Sequence, residues 1–96
     1  MDIKSFGNKE TEKFIAKGEL RKNCRWRNLE KIVRRKIDMI IFADVIDDLR
    51  APPSNRLEKL SKDLTGFWSI RINDQFRVIF KSNNNQIFDI RIVDYH

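Results

Sequence analysis

The side chains with the most chemical potential lie in the last third of the chain. Arg71 and Arg77 flank an "IND" corner between two predicted strands, and the sequence ends in Tyr95 and His96. If the strands pair, both guanidinium groups lie at the same end of one sheet face, where their planar forks match phosphate oxygens. A phenol and an imidazole beside them suit proton transfer or stacking on a base. The pattern therefore favours a phosphate clamp with proton-transfer groups nearby.

A second interpretation needs no ligand. Arg71 and Arg77 would then only pair with carboxylates across the sheet, and Asp74, Asp89 and Asp94 are the candidates. The residue pattern alone leaves both interpretations open.

Other site chemistries find little support in the composition. Transition metals prefer clustered histidine and cysteine, and the chain has one of each. Its three glycines are scattered and form no phosphate loop. Cys24 excludes an internal disulfide and suits a reducing compartment, and the neighbouring Arg21, Lys22 and Arg25 are expected to lower its pKa. We predict no metal and no cofactor.

Charge is distributed unevenly. The net charge is +6, and residues 1–36 hold twelve Lys or Arg against five Asp or Glu, whereas residues 37–50 hold one against four. A basic surface attracts polyanions, which makes nucleic acid a candidate partner, although the charge could simply keep a small protein soluble. No apolar run is long enough to span a bilayer and the N-terminus does not resemble a signal peptide, so a cytoplasmic protein is expected.

The N-terminal half predicts a short strand followed by helices. "DIKSF" alternates like a strand, and "NKETEKFIAKG" predicts a helix capped by Asn8 or Thr11 and ended by Gly18. A second helix carries an apolar stripe of Leu29, Ile32, Val33, Ile37, Ile40 and Ile41. Basic residues, Arg25, Arg27, Lys31, Arg34 and Arg35, are assigned to its polar side. "ADVIDDLRA" either continues this helix or forms another before Pro52 and Pro53.

The C-terminal half predicts antiparallel strands joined by the "IND" corner and by the polar turn "KSNNNQ". In the last strand, strict alternation assigns one set of side chains to one face, Ile87, Asp89, Arg91 and Val93. The other set is Phe88, Ile90, Ile92 and Asp94. Helices followed by strands predict a single α+β domain over residues 1–96, with N-terminal helices packed on one face of the sheet.

Three motifs in order carry a family resemblance: "DLRAPPSNRLEKL", "GFWSIRINDQFRVIF" and "DIRIVDYH". Together they resemble the HigB toxins of the RelE/ParE superfamily, and "IKSF" and "RRKI" add a weaker similarity. The resemblance implies helices on a curved antiparallel sheet and an mRNA endonuclease that acts on translating ribosomes. It also implies silencing by a HigA-like antitoxin with a helix-turn-helix domain, so that operator DNA would be bound only through the antitoxin.

The resemblance also implies a catalytic set of Arg71, Arg77 and His96. In metal-independent RNA cleavage the ribose 2′-OH attacks the adjacent phosphate, and the 5′-oxygen leaves. Arginines would stabilise charge on the phosphate, and an imidazole with a pKa of about 6.5 would transfer a proton. Tyr95 is a possible auxiliary residue.

The sequence departs from the family pattern at one place. Relatives carry Leu-Lys-Gly-Asp before the glycine–aromatic strand, with a basic lysine in the site, whereas this chain has Ser61 and Lys62 at the lysine and glycine positions. Lys59 or Lys62 is therefore the possible auxiliary lysine.

Two further predictions concern binding partners and alternatives. The five basic residues from Arg25 to Arg35 are expected to bind ribosomal RNA or mRNA, unless they form only a solvated face.

The alternative function is a ParE-like toxin that acts on DNA gyrase without cutting RNA. A third interpretation is an inactive toxin that only regulates DNA binding through its antitoxin.

Overall fold

The computed structural model describes residues 1–95, which form two α-helices and one five-stranded sheet. The elements are β1 (Asp2–Ile3), α1 (Lys9–Lys17), α2 (Glu30–Phe42), β2 (Glu58–Lys59), β3 (Trp68–Arg71), β4 (Phe76–Asn83) and β5 (Gln86–Asp94). Short 3₁₀ turns connect several of them. Over the described residues, every helix is too short or too polar to cross a membrane.

Helix α1 begins and ends where its sequence predicts. The Asn8 side chain accepts the Thr11 N–H at 2.9 Å, and Gly18 ends the helix with a left-handed φ of 70°. The Thr11 hydroxyl accepts the Ile92 N–H at 3.2 Å, and Phe14 is buried in the core. These contacts fix α1 against β5.

Helix α2 buries most of its predicted stripe. Val33, Ile37 and Ile40 are almost completely buried, whereas Ile41 is 39% exposed. The chain leaves the helix at Ala43 and forms a separate 3₁₀ turn over Ile46–Arg50. Asp48 starts this turn, because its carboxylate accepts the N–H groups of Asp44 and Val45. Of the two alternatives for "ADVIDDLRA", the separate turn is the one formed.

The sheet has the strand order β1-β5-β4-β3-β2. All neighbours are antiparallel except β1, which pairs parallel with β5 at its edge. One face packs against both helices and forms the main core with Ile70, Val78, Phe80 and Ile90. The opposite face carries a smaller cluster that includes Leu60, Phe67 and Ile79. The predicted α+β fold is confirmed, and its helix-free sheet face presents the candidate site.

The predicted facing of β5 is wrong at its beginning. Ile79 pairs with Arg91, but Lys81 pairs with Phe88, so β5 contains one extra residue. Asp89 absorbs it with a φ of 53°, and its N–H donates to the Ser5 hydroxyl at 2.9 Å. This bulge reverses the alternation, and Ile87 therefore joins Ile90 and Ile92 in the main core instead of facing away from them.

Candidate active site

The β3–β4 hairpin brings Arg71 and Arg77 directly opposite each other. Its corner is closed by Asn73, whose side-chain oxygen accepts the N–H groups of Gln75 at 2.9 Å and Phe76 at 2.7 Å. Directly paired residues project to the same side of a sheet, so both guanidinium groups lie on the helix-free face. The register predicted from the "IND" corner is therefore formed.

Arg77 is held by several partners and is only 9% exposed. Its Nη1 donates to the Ser69 hydroxyl at 2.7 Å and to the Arg56 carbonyl at 3.4 Å. Its Nη2 pairs with the Glu58 carboxylate at 3.3 Å, and its Cζ lies 5.1 Å from the centre of the Tyr95 ring. The guanidinium therefore has a fixed orientation before any ligand binds.

Arg71 is more accessible. Its Nη2 pairs with Asp74 at the hairpin corner, and the Arg71 side chain is 30% exposed while that of Asp74 is 97% exposed. A pair this open to solvent is weak, about 0–1 kcal/mol, and a more highly charged anion can displace the carboxylate. Arg71 thus forms the ion pair that the second interpretation predicted with Asp74, and its side chain is still accessible to a ligand.

The end of β5 lies beside this arginine pair. The Tyr95 N–H donates to the Gln75 carbonyl at 2.7 Å, and Tyr95 as a whole is 39% exposed. His96 follows directly in the chain but lies outside the described residues, so its catalytic role remains a prediction. Tyr95 itself can present a ring edge or a hydroxyl next to Arg77.

The two residues of strand β2, Glu58 and Lys59, face opposite sides of the sheet. Glu58 pairs with Ser69 and therefore faces the arginines, whereas Lys59 pairs with Trp68 and faces the opposite side. The Lys59 ammonium lies 5.7 Å from the centre of the Trp68 ring. Lys59 is thus not brought together with Arg71 and Arg77, which weakens its candidacy as an auxiliary residue.

Lys62 lies in the turn between β2 and β3. It is exposed and has a φ of 58°, a left-handed conformation that favours glycine. At the glycine position of the Leu-Lys-Gly-Asp pattern, a lysine therefore adopts a backbone conformation that suits glycine. Ser61, at the lysine position of that pattern, is exposed at the start of this turn.

Glu58 is the functional candidate that the sequence interpretation omitted. Its carboxylate contacts Arg77, and a carboxylate at this position can accept a proton or hold the guanidinium. The alternation of "RLEKL" contained the signal, because Leu60, two residues later, is buried against Ile79 on the same face.

The predicted basic helix face is split between two segments. Arg25 and Arg27 precede α2, and both make contacts within the protein. Arg25 pairs with Asp94 at 2.7 Å, and Arg27 donates to the carbonyl of Arg21 at 3.0 Å. Arg25 therefore lies outside the helix, whereas Arg27 opens the 3₁₀ turn (Arg27–Leu29) that leads directly into α2.

Three residues of the predicted basic set do lie on α2. The Cζ of Arg34 lies 4.5 Å from the centre of the Phe14 ring, so this side chain also covers the core. Lys31 and Arg35 are exposed on the helix surface. These two are the best placed of the predicted set to meet an external polyanion.

A buried polar pair links α2 to the chain segment before β2. The Lys36 ammonium donates to the Asn55 side-chain oxygen at 2.6 Å, and the Asn55 amide donates to the Leu49 carbonyl at 3.1 Å. Burial lowers the pKa of Lys36, and the positive charges of Arg35 and Arg71 lower it further. Local sequence patterns do not predict this pair, because its members are nineteen residues apart.

The pKa of the Cys24 thiol is shifted in the direction opposite to the one predicted from the sequence. The thiol is 6% exposed, and burial raises its pKa despite the nearby basic residues. The expected lowering is wrong because desolvation of the thiolate outweighs the neighbouring positive charge.

Solved structures with the same fold include those of YoeB and YafQ. YoeB from Staphylococcus aureus, solved in a heterotetrameric complex with YefM, superposes with a TM-score of 0.57 and 22% identity, covering 100% of this chain and 97% of YoeB. A YafQ variant from E. coli superposes with a TM-score of 0.63 and 13% identity, covering 97% and 91%. At these identities the likeness shows the fold.

The family follows from sequence. The model of the HigB-like toxins, described as RelE-like toxins of type II toxin–antitoxin systems, matches residues 4–96, and the chain belongs to this family. It is 43% identical over 54 residues to Toxin HigB-1 of Vibrio cholerae serotype O1, covering 56% of this chain and 57% of that protein. An uncharacterised Haemophilus influenzae protein is 47% identical over 60 residues, covering 62% and 59%. The chain thus spans less than two thirds of each of these relatives.

Proposed function

We propose that this protein is a ribosome-dependent mRNA endonuclease toxin that inhibits translation. The observation that carries the proposal is the directly opposed Arg71 and Arg77 pair on the helix-free sheet face. Two guanidinium groups at one end of a sheet can bind a single phosphate through several charge-assisted hydrogen bonds. Membership of the HigB-like family supports the same activity.

The proposed reaction needs no group beyond the RNA and the protein. The ribose 2′-oxygen forms a bond to the adjacent phosphorus, the bond from phosphorus to the 5′-oxygen breaks, and a 2′,3′-cyclic phosphate results. Arg71 and Arg77 stabilise the negative charge that develops on the phosphate. One proton leaves the 2′-OH and one reaches the departing 5′-oxygen, and His96 and Glu58 are the candidate groups for these transfers.

Preorganisation supports the assignment of Arg77 to the phosphate. Ser69, Glu58 and Tyr95 already hold its guanidinium, so little reorganisation is needed when charge develops. Arg71 would exchange its exposed Asp74 partner for the phosphate. A fixed arginine and an exchangeable one together allow substrate to enter and still stabilise the transition state.

The ribosome would supply what this small site lacks. A few cations and one histidine orient RNA weakly, and an attack-ready RNA geometry is worth several powers of ten in rate. We propose that the ribosome holds the mRNA in that geometry. An antitoxin of the HigA kind, with a helix-turn-helix domain, is the proposed cytoplasmic partner, and operator DNA would be bound only through it.

Primer extension on a translating mRNA tests the proposal. Arg77→Ala and His96→Ala are each expected to reduce cleavage about 10²–10⁴-fold. Arg50→Ala is the matched control, because Arg50 is an exposed arginine that pairs with the exposed Asp47. Cleavage by the wild type at the same positions without ribosomes would contradict ribosome dependence. Full cleavage by Arg77→Ala would remove that residue from the site.

A second candidate function is supported by the same ion pairs. Arg71 and Arg77 each contact a carboxylate, as they would in a site that binds no phosphate. A ParE-like toxin that acts on DNA gyrase would then leave mRNA intact while it still arrests growth. Growth arrest with uncut mRNA, together with inhibited supercoiling by purified gyrase, would favour this function. A wild-type protein without any toxicity would favour a purely regulatory role.

A further inference from the structure

Two more cations share the helix-free face with the arginine pair. The Lys81 ammonium and the Arg91 guanidinium carbon each lie 5.0 Å from the centre of the Phe67 ring. Lys81 belongs to β4 and Arg91 to β5, and we call the two residues the distal cation pair. Phe67 is 7% exposed, so its ring supports the cations from below instead of being open to solvent.

Arg91 is held in place by a close backbone approach. A Cβ atom added at Gly7 would lie 2.8 Å from Cδ and Nη1 of Arg91, and 2.8 Å from the Asp89 carbonyl. Glycine at this position therefore leaves the space that the arginine side chain occupies. With Phe67 on its other contact surface, Arg91 is oriented before any ligand binds.

Lys81 is freer than Arg91. Its side chain is 47% exposed, and its nearest carboxylate, Asp89, is 4.0 Å away and 45% exposed. An exposed ion pair at this distance contributes little and does not neutralise the ammonium. Lys81 is therefore available to a phosphate group in solution.

The spacing suits a nucleic-acid strand that leaves the arginine pair. Arg77, Ile79 and Lys81 alternate along β4, which puts Lys81 about 13 Å from Arg77 by strand rise. Arg91 pairs with Ile79 and is displaced by about 7 Å along the strand direction. Val93, which pairs with Arg77, is half-buried between the two cationic sites. These displacements fit about one to two nucleotides of extended RNA.

We propose that the distal cation pair binds the RNA phosphates next to the scissile one. This inference rests on the proposed function and extends it, because it assigns a path for the substrate across the sheet. Contacts from lysine and arginine to phosphates position a strand without reading its sequence. The Phe67 ring lies beneath the two cations, which leaves no aromatic surface there for base stacking. The distal cation pair is therefore expected to increase affinity without adding base preference.

Binding of short RNAs tests the proposal without depending on cleavage. Fluorescein-labelled RNAs of two to five nucleotides carry 2′-O-methyl groups, which remove the nucleophile, and fluorescence anisotropy measures their affinity. The wild type is expected to bind the longer RNAs about tenfold more tightly than the dinucleotide. Lys81→Met is expected to lose about three- to tenfold of that gain while it binds the dinucleotide as before. For the Lys81→Met variant, the slope of log affinity against log salt concentration should be smaller by about 0.7, because one phosphate contact is lost.

Lys17→Met is the matched control. Lys17 is an exposed lysine at the end of α1, which packs on the opposite face of the sheet. The Lys17→Met variant should therefore bind every RNA like the wild type. Arg91→Met is a second test variant, and its circular dichroism spectrum shows whether the fold is kept.

The outcomes separate the inference from the proposed function. An affinity that does not rise with RNA length in the wild type would overturn the substrate path. So would a Lys81→Met variant that keeps the full gain, or a Lys17→Met variant that loses as much. Failure of the nuclease proposal is visible elsewhere, as uncut mRNA on ribosomes, because length-dependent binding does not require cleavage.

Discussion

Asn55→Ala is expected to be among the most destabilising single substitutions in this chain. Asn55 is completely buried, and its side chain satisfies a buried ammonium and a buried carbonyl at the same time. In the alanine variant, the buried Lys36 ammonium loses its hydrogen-bond acceptor, and the Leu49 carbonyl loses its hydrogen-bond donor. An alanine also leaves a small void.

The magnitude follows from these contacts. A hydrogen bond to a charged group is worth about 1.5–3 kcal/mol, and a buried carbonyl left unsatisfied costs about 1–3 kcal/mol. A loss of about 3–5 kcal/mol is expected, similar to the cost of removing one partner from a buried charged pair. For a domain of this size each kcal/mol lowers the Tm by about 4–8 °C, so the Tm should fall by more than about 12 °C.

The pH dependence identifies Lys36 as the cause. Its folded pKa is lowered from 10.5, so the unfolded chain binds the proton more tightly and stability rises with pH between the folded pKa and 10.5. Asn55→Ala should lower the folded pKa of Lys36 further, because the acceptor of the ammonium is gone. The destabilisation should therefore shrink as the pH is raised from the folded pKa of Lys36 in the variant to its folded pKa in the wild type, and stay constant above that.

Urea unfolding at several pH values measures both effects. Asn28→Ala is a suitable control, because Asn28 is exposed. A loss below about 1 kcal/mol, or a loss that is the same at pH 7 and near pH 10, would refute the assignment of Asn55 as the support of a buried charge. Lys36→Met combined with Asn55→Leu should recover much of the lost stability, because apolar replacement of both partners removes the desolvation cost.

Three other predictions concern single features. Cys24 should react slowly with a thiol reagent in the folded protein and quickly in urea, because it is buried and its pKa is raised; fast native reaction would contradict this. Lys62→Gly should raise the free energy of unfolding by up to about 1 kcal/mol, because glycine adopts a φ of 58° without strain; a loss of stability would contradict it. Charge reversal of both Lys31 and Arg35 to Glu should weaken ribosome binding and its salt dependence with no loss of Tm, because both side chains are exposed. Arg34→Glu should also lower the Tm, because Arg34 contacts the core. Unchanged ribosome binding by the double variant would show that this helix surface is only solvated.

Local signals in the sequence were sufficient for the parts of the fold that short-range chemistry determines. Asn8 and Gly18 cap α1 because their side-chain and backbone preferences act within one turn. The "IND" corner closes through Asn73, and this local turn sets the register that opposes Arg71 and Arg77. The arginine pair was therefore predictable from one hairpin.

Long-range partners explain what the sequence could not reveal. Asp89 adopts a left-handed φ, which aspartate tolerates, and Ser5, eighty-four residues earlier, binds its N–H and carboxylate there. Periodicity alone therefore assigned Ile87 to the wrong face. The burial of Lys36 was equally unpredictable from the sequence, since a lysine within a basic run usually points to solvent.

The "APPSNRLEKL" motif connects this buried chemistry to the candidate active site. Asn55 is fixed by α2, the next residue supplies the Arg56 carbonyl to Arg77, and Glu58 supplies the carboxylate. These contacts all come from one four-residue stretch, so the buried amide orients the arginine as well as stabilising the fold. A variant at Asn55 that is still folded at low temperature should therefore show weaker cleavage than its folded fraction accounts for, because the guanidinium has lost part of its support.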